Sequence, residues 1–446
     1  MDARTTQEIV QTVIDLSSGD LHRAGIGPVS FVRQVLAACL YTNLLRDDNI
    51  PLDARQRAQQ FLDICPGGSV GVYSSSAVGM PYVLQRIAEF ISRRDGGVTA
   101  DPHKIIFNSG TQENLKLVLS LLSSGRDDLQ TGVLTPVPSP HTLPRLLQYN
   151  RLSSVPYRLQ QEQGWAVDVE ELHRAVTDAR AHCDPRALFI CNPGIPTGHV
   201  QDRKSIESVI RFAAAEGLFL LVNEVYQDCV YGPGVEFLSY KKVLLEMGQE
   251  YSEHVELISF NSLSNGSLGE CGLRGGYMEL LNTDKVVAER LMVLMGYRSP
   301  AILPQSALEI MVNPPTPGEA SYPTYTQEIS LIHSNLSHNA QRGYEVMNTL
   351  KGVSCQPAMG GIFLFPRLDL PARFLEEAKT LGLQPDVLYS QMLVDKAGVC
   401  VGAGSENGSE EETCYYIRLS FAASSDTFQD ALSRLCSFHH QLHETY

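Results

Sequence analysis

The sequence predicts an α/β protein in which a largely parallel sheet is covered by helices on both faces. From about residue 104, short β-branched, aromatic or apolar runs alternate with stretches of helical periodicity. The chain has 446 residues, which is long enough for a large core and two domains. With 43% hydrophobic and 19% charged residues, its composition is that of an ordinary globular protein.

The region before the sheet is predicted to be mostly helical. An amphipathic pattern over residues 1–17 predicts a short helix in an N-terminal arm, and Ser-Gly-Asp at 18–20 ends it. Apolar residues at helical spacing predict a packed helix over 29–45. A glycine-rich turn at 67–74 then leads into a helix predicted over 82–93.

The alternating region supplies the predicted sheet. Its strands are expected at 105–108, 133–136, 188–191, 218–223, 257–260 and 276–281. Intervening helices are expected at 114–123, 168–179 and 204–214. Strands that alternate with helices in this way pair mainly in parallel. We therefore expect the binding site at their carboxyl ends, where the connecting loops gather.

A smaller domain is predicted at the C-terminal end. Asn-Pro-Pro-Thr-Pro-Gly at 313–318 breaks helices and predicts a passage between domains. A helical region over 330–350 follows, then strands at 360–366, 399–401 and 415–421, with a polar surface loop at 405–412. The predicted division is an N-terminal arm with the first part of the small domain (1–66), a large domain (67–312) and a small C-terminal domain (313–446).

Charge and cysteine usage limit the function classes. The net charge of −15 argues against nucleic-acid binding, which needs a basic surface. No apolar run reaches membrane-spanning length, and the first residues lack the apolar core of a signal peptide. The ten cysteines include no Cys-x-x-Cys pair, which predicts reduced thiols rather than disulfides or a metal site. Together these features predict a cytoplasmic protein with neither nucleic acid nor membrane as partner.

Two adjoining motifs carry a resemblance to a known family. Residues 259–266 read Ser-Phe-Asn-Ser-Leu-Ser-Asn-Gly, and residues 270–277 read Glu-Cys-Gly-Leu-Arg-Gly-Gly-Tyr. With the motifs at 33–37, 93–97, 198–201 and 224–228, they resemble the alanine aminotransferases, fold-type I enzymes that depend on pyridoxal phosphate (PLP). The resemblance spans residues 15 to 440 and implies a large domain with a mostly parallel seven-stranded sheet, a smaller α/β domain and a homodimer.

The residue that carries out the chemistry in this family is replaced. The family's loop reads Ser-x-Ser-Lys-Gly, and its lysine forms a Schiff base with PLP, whereas this chain has Asn265 there. Lys116 follows the predicted phosphate turn, and Lys204, Lys241 and Lys242 lie on other segments. Without the lysine, the chain lacks both the Schiff base and the general base for the proton shift of transamination.

The phosphate-binding half of the family's site is retained. A Gly-Thr-Gln turn at 110–112 lies between a predicted strand and helix, where backbone N–H groups form a phosphate cradle. A turn of this kind or a single arginine is common in any protein, so the prediction depends on their combination. The resemblance adds an arginine, two serines and a tyrosine that reaches the phosphate from the partner subunit. The predicted phosphate cup is Gly110, Thr111, Gln112, Tyr73, Ser262, Ser264 and Arg274.

The contacts that the family makes to the cofactor ring are altered. An aspartate that keeps the pyridine nitrogen protonated is replaced by Asn223, and a neutral amide cannot hold that proton electrostatically. The asparagine that binds the ring hydroxyl is replaced by Ile195. The Pro-Gln-Tyr-Pro whose tyrosine stacks on the ring is replaced by Pro-Ser-Pro-His at 138–141. With Asn265, these changes around one ring indicate natural divergence.

Three further residues are candidates for ligand binding or acid–base chemistry. Arg418 matches the arginine that grips the substrate α-carboxylate, although the nearby Gly-Ser-Gly-Phe-Gly-Gln of the family reads Gly-Ala-Gly-Ser-Glu-Asn at 402–407. Tyr226 matches the tyrosine that donates to the ring hydroxyl and is a candidate general acid. His141 is a candidate acid–base group near neutral pH, and a solvated loop histidine without function is an equal alternative.

Three functional hypotheses follow. The favoured one is a homodimeric pseudoenzyme that cannot transaminate and binds a small anionic ligand; no covalent cofactor is expected, and PLP or pyridoxamine phosphate would bind non-covalently. The second is a cofactor-independent enzyme that uses the vacated pocket, with Tyr226 and His141 as acid–base groups and Arg418 as anchor. The third, ranked lowest, is an aminotransferase that recruits another lysine.

Overall fold

Strands and helices alternate through the middle of the chain. The computed structural model describes residues 13–123, 129–264, 266, 268–296, 299–408 and 414–446. Its strands are β1 (Ile14–Asp15), β2 (Ile105–Asn108), β3 (Thr131–Val137), β4 (Ser153–Arg158), β5 (Asp184–Cys191), β6 (Phe219–Asn223), β7 (Leu257–Ser262), β8 (Gly276–Leu281), β9 (Val353–Ser354), β10 (Phe363–Leu364), β11 (Arg367–Leu368), β12 (Val399–Cys400), β13 (Gly402–Ala403) and β14 (Tyr415–Ser420).

Helices cover the sheet and build both ends of the chain. They are α1 (Ser30–Leu40), α2 (Leu52–Ile64), α3 (Pro81–Arg94), α4 (Thr111–Leu122), α5 (Leu143–Tyr149), α6 (Val169–Ala179), α7 (Arg203–Glu216), α8 (Tyr240–Glu246), α9 (Gln249–Ser252), α10 (Lys285–Gly296), α11 (Ile302–Val312), α12 (Tyr322–Met347), α13 (Ala372–Leu381), α14 (Pro385–Ala397) and α15 (Ser425–Thr445). Among these described helices, none combines the length and apolarity that a membrane crossing requires.

The large sheet has seven strands in the order β2-β8-β7-β6-β5-β3-β4. Strands β4, β3, β5, β6 and β7 pair in parallel, and β8 runs antiparallel to both of its neighbours. Along β5, Leu188 and Ile190 pack into one apolar cluster while Ala187 and Phe189 pack into another. Because successive side chains of a strand point to opposite faces, both faces of the sheet are buried. The predicted mostly parallel seven-stranded sheet is confirmed.

Strand β4 and the N-terminal segment differ from the sequence-based expectations. Strand β4 at the sheet edge was not predicted, because only Val155 and Tyr157 of its residues are buried and the others read as polar turn. The helix predicted over 1–17 is wrong at its described end, where Ile14–Asp15 pair in parallel with Val399–Cys400. Main-chain hydrogen bonds to β12, which is distant in sequence, decide the conformation there against the helical pattern. Residues 1–12 of the predicted helix lie outside the described chain.

A third apolar cluster joins the two ends of the chain. It contains Val35 of α1, Ile87 of α3, Ile310 of α11 and Leu432 of α15. The small strands β9, β10, β11, β13 and β14 pair antiparallel beside it, with β14 in contact with three of the others. Chain segments from before and after the large sheet therefore share one core.

One histidine of this shared core is held in its neutral form. His439 is buried, with Nδ1 3.1 Å from the Tyr389 hydroxyl and Nε2 2.8 Å from the Lys351 carbonyl. A carbonyl oxygen only accepts, so Nε2–H donates to it and Nδ1 accepts from Tyr389. Burial lowers the pKa of His439 from 6.5 to about 4.

We predict that the stabilising contribution of neutral His439 is present above pH 6.5 and is lost as the pH falls through about 4. The depressed folded-state pKa means that the unfolded chain binds the proton first. The difference in unfolding free energy between wild type and His439→Gln should shrink by up to about 3 kcal/mol over this range. Urea unfolding at several pH values measures it. The variant of the exposed neighbour, His440→Gln, is the control, and a pH-independent difference for His439→Gln would contradict the prediction.

Candidate functional site

The ends of β5, β6 and β7 define one edge of the large sheet. In the pairing register Cys191 lies beside Asn223, and Asn223 beside Phe260. The segments that follow these three strands carry Ile195, Tyr226 and Ser264 respectively. Asn108 at the end of β2 pairs with Gly276, so the turn carrying Gly110 reaches the same region. The candidate residues gather where parallel strands end, as predicted.

An anion cup forms in front of Gly110, bounded by Ser262, Ser264 and Arg274. The Arg274 guanidinium donates from Nη1 to the Ser264 hydroxyl at 3.2 Å and from Nη2 to the Ser109 carbonyl at 3.4 Å. A Cβ atom placed on Gly110 would lie 3.4 Å from Arg274 Nη2 and 3.7 Å from Ser262 Oγ. The absence of a side chain at Gly110 therefore leaves a small space lined by a guanidinium and a hydroxyl.

The start of α4 adds backbone donors to this cup. Gly110 is the N-cap residue, and its φ of 104° and ψ of 175° belong to a region that is essentially restricted to glycine. The first N–H groups of a helix have no acceptor within the helix and attract anions. Thr111 Oγ1 bonds the Asn261 carbonyl at 3.3 Å, so its hydroxyl ties the turn to β7, and Gln112 is exposed.

Tyr73, the remaining predicted cup residue, belongs to a surface segment. Its side chain is 86% exposed in the single chain. The next residue is anchored, because the Ser74 N–H donates to the Ser299 hydroxyl at 3.1 Å. Its predicted role as a contact to the phosphate of a second subunit stays a prediction.

The described groups that the resemblance assigns to the cofactor ring are uncharged. The Asn223 amide oxygen accepts from the Val225 N–H at 3.4 Å. Beside it, burial raises the pKa of the Cys191 thiol to about 12, so this group is un-ionised at neutral pH. Ile195 contributes apolar surface that packs against two of the core clusters. Asn265 lies outside the described residues.

The residues of the site fit one group of PLP, its phosphate, better than the others. The cup in front of Gly110 has the cation, hydroxyls and helix N-terminus that a phosphate requires. The end of β6 offers a neutral amide where a protonated ring nitrogen needs an anion, and the sequence offers no lysine at 265. The chain therefore fits a phosphate group but does not fit PLP held through a Schiff base.

Arg418 on β14 is buried and already supplied with acceptors. Its Nη1 donates to the Asn407 side chain at 3.1 Å and its Nη2 to the Ser17 carbonyl at 3.0 Å. A carboxylate oxygen of Glu406 lies 3.6 Å from Nη2. The guanidinium also lies 5.7 Å from the centre of the Phe363 ring. Burial lowers the pKa of Arg418 from its usual value, while the nearby Glu406 raises it.

Tyr226 and His141 both lie within electrostatic reach of Arg418. Burial raises the pKa of Tyr226 well above 10, and Arg418 opposes that shift. His141 is an exposed residue whose ring is nevertheless shielded by its surroundings. This shielding is the largest cause of a lowered pKa, and the positive charges of Arg418 and Arg145 add to it. Together they lower the pKa of His141 to about 4. At neutral pH the pair therefore consists of a neutral phenol and a neutral imidazole.

Some of the motifs that carry the family resemblance support the fold behind the site. Arg33 makes an ion pair of 2.9 Å with Glu270 of the 270–277 motif. Arg94 pairs with Asp95 at 2.7 Å, and Glu224 accepts from the Tyr240 N–H at 2.9 Å. The carboxylates of Glu270, Asp95 and Glu224 are buried, and the partners named here all belong to this chain. They support the loops rather than line the cup.

Sequence reasoning missed three contributors to the site: Ser17, Glu406 and Asn407. The predicted surface loop over 405–412 is wrong at Asn407, which is completely buried and donates to the Ser139 carbonyl at 2.7 Å. Its backbone carbonyl accepts from the Ser139 N–H at 2.9 Å. The departure of residues 402–407 from the family pattern was the only indication, and it did not show that Arg418 is the partner.

Comparisons with known proteins agree with this fold. The family model "Aminotransferase class I and II" matches residues 39–435. Alanine aminotransferase 2 of Xenopus tropicalis is 43% identical over 97% of this chain and 83% of its own length. Alanine aminotransferase 1 of Homo sapiens is 42% identical over 96% and 86%, respectively. An aminotransferase from Escherichia coli shares the fold, with a TM-score of 0.76, 18% identity and coverage of 97% of this chain and 92% of that one.

These matches define the fold of the class I and II aminotransferases. Identity above 40% to alanine aminotransferases over nearly the whole chain identifies the family within this class. The chain belongs to the alanine aminotransferase family. The predicted family and the predicted fold class are thereby confirmed.

We predict that Gly110→Ala will close the anion cup. The new Cβ atom would crowd Arg274, and inorganic phosphate should bind at least about tenfold more weakly, as expected for a lost hydrogen bond to a charged group. Gly248→Ala is a matched control, because Gly248 also caps a helix, with φ 98° and ψ 163°, and its Cβ position is open. Both variants should lose about 1–3 kcal/mol of stability from backbone strain. Calorimetric titration measures binding, and equal phosphate affinities in the two variants would contradict the prediction.

Proposed function

We propose that this protein is a homodimeric member of the alanine aminotransferase family that has lost Schiff-base chemistry and binds a phosphate-bearing ligand without a covalent bond. The observation that carries the proposal is the contrast between the two halves of its site. The anion cup of Gly110, Ser262, Ser264 and Arg274 is assembled, whereas Asn265 stands at the position of the lysine. PLP or pyridoxamine phosphate would bind through the phosphate alone.

Other lysines are poor substitutes for the missing one. Lys241 is buried in an ion pair of 2.5 Å with Glu279. Lys116 places its ammonium group 4.5 Å from the centre of the Tyr149 ring. A lysine engaged in such a contact is not free to attack a carbonyl, because the nucleophile in that step is an amine nitrogen that must reach the carbonyl carbon. These contacts favour a non-catalytic role over an aminotransferase that recruits another lysine.

The proposed homodimer is supported by apolar residues exposed near the start of the chain. Leu40, Tyr41 and Leu52 are each more than half exposed, and Tyr73 is even more so. Leu40 ends α1 and Leu52 begins α2, two helices that pack together, and contiguous exposed apolar surface marks contact sites between proteins. In the proposed dimer, Tyr73 reaches the anion cup of the second subunit, so each cup would be completed by its partner.

We predict that the purified protein will show no visible absorbance of lysine-bound PLP. Adding PLP and reducing with borohydride should leave no pyridoxyl-lysine adduct on mass spectrometry, because Asn265 cannot form a Schiff base. Asn265→Lys in the same chain is the matched control and should give the adduct at residue 265. No alanine–2-oxoglutarate exchange is expected from the wild type. An adduct on any wild-type lysine would contradict the proposal and identify the substitute.

A second candidate function is a cofactor-independent enzyme in the same pocket. The specific observation that favours it is the placement of His141 and Tyr226 near Arg418, with both acid–base groups neutral at pH 7. A neutral imidazole can accept a proton while a neutral phenol donates one. Arg418 would contribute positive charge to the developing anion.

If this second function operates, its activity should depend on neutral His141. Turnover of a screened substrate should be lost as the pH falls through about 4, where the imidazole becomes protonated. His141→Ala and Tyr226→Phe should each lower the rate about 10²-fold or more, the usual contribution of general acid–base catalysis. His103→Ala, a histidine before β2, is the control. Turnover that is unaffected by either pocket variant would exclude this mechanism.

A further inference from the structure

A carboxylate of the same chain lies beside the Arg418 guanidinium. Glu406 Oε2 lies 3.6 Å from Arg418 Nη2. The Arg418 side chain is 5% exposed and that of Glu406 is 53% exposed, so the glutamate meets the guanidinium from its solvent side. In the alanine aminotransferases this arginine receives the carboxylate of the substrate, and here one acceptor is already supplied internally.

The turn that carries Glu406 is fixed on both sides. Before it, the Ser405 N–H donates to the buried Asp386 carboxylate at 2.6 Å. After it, Asn407 exchanges two hydrogen bonds with Ser139, of 2.7 Å and 2.9 Å, in addition to accepting from Arg418. The backbone of Glu406 is therefore held beside the guanidinium.

The remaining faces of Arg418 offer little room for a second carboxylate. A Cβ atom on Gly402 would lie 2.7 Å from Nη2 and 2.8 Å from Cζ, so the guanidinium packs directly on the β13 backbone. Nη1 and Nη2 already donate to Asn407 and to the Ser17 carbonyl. The Nε atom is enclosed by protein and has no hydrogen-bond acceptor among the described residues. A carboxylate from solution would therefore have to approach Arg418 from the side that Glu406 faces.

We infer that Glu406 closes Arg418 to free carboxylates, so that the ligand of the anion cup is a phosphate monoester with an uncharged or cationic far end. This inference rests on the proposed function, because it specifies the ligand of the same site. An amino acid or 2-oxo acid would have to displace a tethered carboxylate, whose effective concentration is on the order of millimolar or higher. It would also meet the like charge of Glu406, which is a repulsive element against that ligand class.

The test compares two probes on matched variants. Succinate serves as the carboxylate probe and inorganic phosphate as the reference for the cup, each titrated calorimetrically into the wild type, Glu406→Ala and Glu406→Gln. Glu250→Ala is the control, because Glu250 is an exposed glutamate of α9, which precedes the amino end of β7 and is remote from the site edge. Thermal unfolding of each variant checks that the fold is intact.

Succinate binding should tighten by at least about tenfold in Glu406→Ala, which corresponds to about 1.4 kcal/mol. The gain should disappear in Glu406→Ala/Arg418→Gln and should be absent in Glu250→Ala. Equal succinate affinity in wild type and Glu406→Ala, or a gain that survives loss of Arg418, would overturn the inference. The phosphate arm separates the two proposals: phosphate binding that is absent, or is unaffected by Arg274→Gln, contradicts the proposed function whatever succinate does.

Discussion

The buried guanidinium of Arg418 connects parts of the chain that are far apart in sequence. A charge removed from water needs acceptors from the protein. Arg418 obtains them from Ser17 beside β1 and from Asn407 beside β13. Asn407 in turn bonds Ser139, which belongs to the loop after β3 that carries His141. The N-terminal segment, the large sheet and the C-terminal strands therefore meet around one cation, and the wall of the site depends on that arrangement.

The anion cup is held together by contacts within the chain itself. Arg274 donates to the Ser264 hydroxyl and to the Cys271 and Ser109 carbonyls, and its φ of 56° lies in the left-handed region. These bonds position the exposed guanidinium without any ligand. At two positions that the resemblance assigns to the cofactor ring, Ile195 makes apolar contacts and Asn223 bonds locally to the Val225 N–H. The two halves of the site therefore differ in charge, because a guanidinium lines one and neutral groups line the other.

The loop around position 265 is likewise constrained by a contact within the chain. Gly266 has a φ of 97°, and a Cβ atom there would lie 2.6 Å from Asp228 Oδ1. Only glycine fits this conformation and this contact. The backbone beside Asn265 is thus still constrained by the 224–228 motif. The contact between Gly266 and Asp228 shapes the turn, and under the proposed function the lysine was needed only for chemistry.

Prediction from sequence worked best where the pattern was local. The buried strands β2 and β8 match their predicted bounds, because continuous apolar runs bounded by turns indicate buried strands. It failed at β4, whose edge position leaves a polar sequence, and at β1, which is defined by pairing with β12. The cup residues could be identified because the resemblance aligns their motifs. Glu406 and Asn407 could not be identified. They follow β13, and they contact Arg418 because β13 pairs with β14; sequence spacing does not indicate which groups a buried cation will contact.

The sequence by itself determined the family and the α/β class, because its motifs and its alternation of strands and helices identify both. It also shows Asn265 and Arg274 at positions for which the resemblance implies a lysine and a phosphate-binding arginine. Only the tertiary structure decided that Arg418 is supplied with internal acceptors and that Glu406 faces it. It also decided that His141 is shielded enough to remain neutral near pH 7. These properties arise from contacts between segments, some only 11 residues apart and others 401 residues apart in sequence. They also arise from burial, which changes the free-energy cost of a charge without changing the residue that bears it.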